Sequence, residues 1–131
     1  MLVDEGLEIL DDDECWRLIG TEGLGRVGVS IAALPAIFPV NYAAVDGAIV
    51  FRTAAGTKLR AALAHAVVVF EVDHADPSDR SGWSVQVVGV AEPVPEGEEP
   101  EGIDPWVAGE RTSYVRIRPE LLTGRRIVHA G

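Results

Sequence analysis

The feature that most constrains the fold is a succession of short stretches rich in Val, Ile, Ala and Thr, running from Arg26 to Val128 and separated by Gly, Pro and Asp-Gly turn signals. Arg26–Ile31 alternates small or apolar residues with polar ones, Leu34-Pro35 is expected to turn the chain, and Ile37–Ala44 forms the next strand. Pro39 inside that strand points to an edge or a bulge, because proline cannot donate to a ladder. Asp46-Gly47 predicts a hairpin turn with Ala48–Thr53 as the returning strand.

The β-branched run Ala66–Val72 reads as a strand buried on both faces. A polar, turn-rich connector, Asp73–Gly82, leads to a longer strand, Trp83–Pro93, whose interior Gly89 predicts a bulge or a close backbone approach. Ser113–Arg118 alternates again, Pro119 is expected to stop it, and Gly124–His129 supplies a last short strand or tail. Helical signals are few. Asp11–Gly20 carries a capping box, Asp11 answered by Glu14, and places Cys15, Leu18 and Ile19 on one face. A second helix is expected from Thr57 to about Ala64. The count is six or seven mostly antiparallel strands with a short N-terminal helix and one inserted helix, a mainly β pattern that favours a barrel because closure removes exposed edges.

Composition narrows the function classes. With 131 residues the chain suits one domain spanning 1–131, and 47% hydrophobic with 24% charged residues is a globular balance. A formal net charge of −10, from 21 acidic against 11 basic residues, argues against nucleic acid and anionic membrane surfaces as partners. The acidic N-terminus lacks the basic start of a secretion signal, no apolar run is long enough to span a bilayer, and the single Cys15 suits a reducing compartment, so a cytoplasmic protein is expected. Arginine outnumbers lysine ten to one, which suits a bacterial genome rich in G and C.

Against that acidic background Arg52, Lys58 and Arg60 fall within nine residues, and Lys58 is the only lysine. A strand delivering Arg52 and Thr53 to the small-residue loop Ala54-Ala55-Gly56, followed by a helix opening at Thr57-Lys58, is an arrangement suited to an anion such as a cofactor phosphate. The same residues also fit an N-cap and solvated positions, and the Gly-Lys-Ser/Thr ending of a nucleoside-triphosphate loop is absent. Other constellations are weaker. Gly28-Val29-Ser30 lacks the second glycine of a hydrolase elbow, and Cys15 has no accompanying Cys-His signature. The carboxylates of Pro95–Asp104 lack calcium-loop spacing, and His65, His74 and His129 show no short ligand spacing.

PVNYAAVDGAIVFRTAAGTKL, the VVVFEVD strand, GWSVQVVGVAEPV and YVRIRPELLTGRRI together resemble the pyridoxamine 5′-phosphate oxidase-like proteins of the FMN-binding split-barrel fold, over Asp11 to about Ile127. The sequence is particularly similar to the short bacterial branch related to nitroimidazole-resistance-type reductases. The resemblance implies a split β-barrel and a homodimer with flavin in a groove between subunits. By position it implies that Pro39, Val40, Asn41 and Tyr42 lie along the flavin ring and that Phe51, Arg52 and Thr53 approach the ribityl-phosphate. Thr57 and Lys58 would bind the phosphate, and Ser84 and Gln86 would face the flavin. The implied cofactor is FMN, with a deazaflavin or no cofactor as alternatives. The implied activity is an oxidoreductase acting on a small organic acceptor, or else a non-catalytic flavin-binding, sensing or cofactor-free dimer. Two departures set it apart from true pyridoxamine phosphate oxidases: Thr57-Lys58 stands where they carry Arg-Lys, and the chain ends at Gly131 without their Arg-x-His motif.

Overall fold

The computed structural model describes residues 2–4, 6–53, 61, 63–103 and 113–128. A hairpin of β1 (Leu2–Asp4) and β2 (Leu7–Ile9) precedes helix α1 (Asp12–Ile19). Then follow β3 (Leu24–Ile31), β4 (Leu34–Val45), β5 (Ala48–Thr53), β6 (Val67–Asp76), β7 (Ser81–Pro93) and β8 (Ser113–Ile127). All strand pairs are antiparallel, in the order β1-β2-β8-β5-β4-β3-β6-β7, and a further β7–β8 pairing closes β3 to β8 into a ring. The mainly β split barrel that the sequence predicts is the fold of this chain.

Alternation along each strand fills the ring. Val27, Phe70, Val72, Val85, Val87, Ile49, Phe51 and Ile117 are wholly buried inside it. Helix α1 plugs one end, its Cys15, Leu18 and Ile19 joining the same core. The Asp11 carboxylate caps α1 by accepting from the Glu14 amide at 2.9 Å. Glu14 does not complete the capping box. Its carboxylate turns instead to Arg17 and to Arg126 of β8, the latter at 2.7 Å, while Arg126 also reaches Glu8 of β2 at 3.0 Å. One guanidinium thereby ties hairpin, helix and barrel together.

Several boundaries differ from the sequence expectations, each for a local reason. The turn after β3 falls on Ala32-Ala33, both at positive φ, and Leu34-Pro35 already belongs to β4. Pro39 does sit on an edge: β4 pairs with β5 only over Asn41–Val45, so its other side needs no donor at Pro39 among the described residues. Asp46-Gly47 makes the expected turn, with both residues at positive φ. β6 alternates rather than being buried on both faces; Val67 is 63% exposed while Val68, Phe70 and Val72 are buried. The Asp73–Gly82 connector is instead mostly ladder, Asp73–Asp76 pairing with Ser81–Ser84 around a tight turn.

Pro119 does not end its strand. β8 continues to Ile127, with the register slipping between Val88 and Gly89, where Gly89 faces Pro119. A Cβ on Gly89 would lie 2.0 Å from the Arg118 carbonyl oxygen, so only glycine permits this approach. The expected inserted helix falls mostly outside the described residues; Ala61 and Leu63 are helical and Leu63 is buried.

Candidate functional site

Two strands carry most of the residues expected to hold a cofactor, and strand alternation divides them. Val40, Tyr42 and Phe51 point into the barrel and are 4%, 4% and 0% exposed. Tyr42 is committed there: its hydroxyl donates to the Ile19 carbonyl at 2.6 Å, and its ring meets Phe70 edge-on with centroids 4.7 Å apart. Burial raises the pKa of that phenol, which keeps it neutral. These side chains are core, so only their backbone is available to a ligand.

Pro39, Asn41 and Arg52 point outward. The ladder aligns Asn41 with Arg52 and Arg52 with Tyr114 of β8, giving an amide, a guanidinium and a phenol side by side across β4, β5 and β8. Beside this row, at the end of β5, lies a cavity of about 210 Å³ lined by Thr53, Ser113 and Tyr114, with Glu96 and Glu99 of the loop after β7 on its wall. Thr57 and Lys58, the expected phosphate pair, lie outside the described residues.

Ser84 and Gln86 stand elsewhere. They line a small cavity of about 110 Å³ on the outer face of β7 together with Thr123 and Arg125. Gln86 pairs with Thr123, whereas Arg52 pairs with Tyr114. Those two β8 positions are nine residues apart along the strand, on opposite sides of the register slip at Gly89, and Gln86 and Thr53 line separate cavities.

On its β6 side Gln86 faces Glu71, and Arg26 bridges Glu71 and Asp73 at 3.3 and 3.4 Å. Burial, reinforced by the Asp73 charge, raises the Glu71 pKa against the opposing pull of Arg26. Among the described residues no group of three or more His, Cys, Asp or Glu side chains could hold a metal ion.

Ser113 and Tyr114 border the cavity at Thr53 and were not singled out as site residues from sequence. Their alternation is readable as a strand, but nothing local tells that the strand lies against β5. Pairing across sixty or more residues brings them there.

Comparison with known proteins agrees with this geometry. The sequence profile of the pyridoxamine 5′-phosphate oxidase family matches residues 11–126. An uncharacterized protein of Mycobacterium tuberculosis is 42% identical over 128 residues, covering 91% of this chain and 84% of its own length. The structure of an FAD-binding protein from Mycobacterium smegmatis superposes with a TM-score of 0.81 at 37% identity, covering 94% of this chain and all of that one. A Bacteroides thetaiotaomicron protein described as a candidate for 5-nitroimidazole antibiotic resistance shares the fold, with a TM-score of 0.70 at 13% identity over 93% of this chain and 89% of that one. With its barrel topology and a match across nearly its whole length, the chain belongs to the pyridoxamine 5′-phosphate oxidase family.

Proposed function

We propose that this protein is a flavin-dependent oxidoreductase acting on a small organic acceptor such as a quinone or nitro compound, working as a homodimer with flavin between the subunits. The observation that carries the reading is the Asn41–Arg52–Tyr114 row beside the hydroxyl-lined cavity at Thr53, in a chain 37% identical to an FAD-binding protein.

The residues present fit such a group. Thr53, Ser113 and Tyr114 offer hydroxyls to a ribityl chain, and Glu96 and Glu99 can accept from ribityl hydroxyls but would repel a phosphate. The phosphate charge is then left to Arg52, Thr57 and Lys58. The backbone of Pro39–Tyr42 would run along the ring, held in place because Val40 and Tyr42 are locked in the core and the Tyr42 amide donates to the Gly23 carbonyl at 3.1 Å. When bound, a flavin supplies hydride and electron transfer, and the protein's part is to bind, orient and exclude water.

A second copy is supported by the outer surface. Ile37, Gly28, Val69, Val88 and Leu121 align in one row across β4, β3, β6, β7 and β8, with Ile37 75% and Leu121 55% exposed. Covering this band with a partner is the simplest way to join two half-sites that one chain leaves apart.

The test is the visible absorption spectrum of the purified protein after incubation with FMN, FAD or a deazaflavin and desalting, followed by turnover of quinone and nitro acceptors. Retained flavin bands with acceptor reduction support the reading. Retention without turnover leaves a flavin-binding module, and a colourless protein overturns the reading in favour of a cofactor-free barrel. Sedimentation velocity tests the dimer directly.

A further inference from the structure

We propose that the small cavity on the outer face of β7 and β8 is an anchor for a planar carboxylate, with Arg125 as its cation and Ser84, Gln86 and Thr123 as further donors; resting on the flavin reading, it holds the carboxylate of an organic acceptor. The ladder sets Ser84 opposite Arg125 and Gln86 opposite Thr123. Side chains two apart on a strand share a face, and cross-strand partners stand about 5 Å apart at Cβ, so these four meet around one space. That space is the cavity of about 110 Å³ they line with Gly124. It is well below the roughly 300 Å³ at which small-molecule pockets begin, so it takes one group of a ligand rather than the whole.

The lining is one-sided in charge. Among the described residues it holds one cation and no carboxylate, and none of the four side chains has a hydrogen bond or ion pair. A guanidinium, an amide and two hydroxyls can all donate there. The cavity at Thr53 is the opposite case, with Glu96 and Glu99 in its lining and no basic side chain among the described residues.

The surroundings decide which anion fits. Asp73 and Glu71 of β6 stand across the ladder from Ser84 and Gln86 on the same outer face. Arg26 already holds both, at 3.4 and 3.3 Å, and burial with the Asp73 charge raises the Glu71 pKa, which favours its neutral form. The wider patch therefore sets two cations against at most two carboxylates, with Arg125 at its positive end. A dianionic phosphate gains little from such a balance. A singly charged carboxylate gains more, because its two oxygens match the fork of the guanidinium.

The test is an NMR titration of the intact nitrogen-15-labelled protein with benzoate, benzamide and inorganic phosphate, for wild type and Arg125→Gln. Benzoate should saturably shift the Ser84, Gln86 and Thr123 amides and the Arg125 Nε–H, benzamide should shift none of them, and phosphate should bind more weakly. Arg125→Gln should weaken benzoate about tenfold or more. No saturable shift, equal binding of benzamide, tighter binding of phosphate, or undiminished benzoate binding in the variant would overturn the anchor. Turnover by flavin-loaded protein then reads its place in the reaction. Arg125→Gln should raise the KM for para-nitrobenzoate about tenfold and leave that for para-nitrobenzamide unchanged; equal changes for both would remove the anchor from the acceptor site. If the protein retains no flavin, the flavin reading fails, and the benzoate titration still decides the carboxylate anchor. Arg125 is exposed, so its replacement leaves the core intact, and the amide spectrum of the variant checks its fold.

Discussion

Val40, Tyr42 and Phe51 on one side of β4 and β5, and Pro39, Asn41 and Arg52 on the other, are interleaved neighbours with opposite fates. The inward set is sealed in the core; the outward set lies on the surface proposed above to bind the cofactor. A strand offers its two faces by parity alone, so a motif spanning consecutive residues always mixes scaffold with site. The lesson is that the family's resemblance motif marks a place in the fold, and only alternate side chains within it can touch a ligand.

Substitutions can break that division in order of size. Phe51→Ala, at a fully buried position, should cost about 3–5 kcal/mol in urea unfolding, the range for emptying an aromatic core site. A loss under 1 kcal/mol would mean that Phe51 is not the core residue described. Lys58→Ala should instead leave unfolding nearly unchanged and weaken flavin binding by roughly 1.5–3 kcal/mol, the worth of a charge-assisted bond. Unaltered flavin affinity would remove Lys58 from the site.

Tyr42→Phe sharpens the contrast within one residue. It deletes the hydroxyl that donates to Ile19 and should cost about 1 kcal/mol of stability with no change in flavin affinity. A selective loss of flavin binding would show that Tyr42 acts on the ligand after all.

Acid should loosen the clamp around α1. The Glu14 carboxylate is held at a pKa of about 2 against an ordinary 4.5, chiefly by its hydrogen bond to Arg17 and also by Arg126. A depressed folded-state pKa contributes stability that is present above the unfolded value and lost as pH falls through the folded one. The thermal midpoint should therefore decline between pH about 4.5 and 2, and the Arg17→Ala/Arg126→Ala double variant should decline less over that window. Equal declines would detach the effect from this clamp. Smallest of all, Arg26→Ala should change stability by under about 1 kcal/mol, because its pairs with Glu71 and Asp73 are long and half exposed.

Local chemistry made much of the fold legible. Asp46-Gly47, Pro39 and Gly89 each state a backbone requirement that few residues can meet, and each occupies the turn, edge or bulge expected of it. Pro119 shows where the same reasoning fails: it breaks a ladder only where a partner needs its donor, and β8 bends past it at the Gly89 slip. Likewise the β-branched run of β6 looked buried on both sides because composition does not reveal which face a neighbour covers. In the candidate site, Arg52 and Thr53 were legible from the strand end and its loop. Ser113 and Tyr114 were not.

The sequence by itself determined the mainly β, antiparallel class, the Asp46-Gly47 turn and the face of α1 that enters the core, since helix periodicity and turn conformation are local properties. Only the tertiary structure decided that β8 lies against β5 and β7 at once, that Tyr114 neighbours Arg52, and that Ser84 and Gln86 line a cavity apart from the one at Thr53. Those facts depend on ring closure between residues distant in the chain, where register is set by the packing of the whole core rather than by any local pattern.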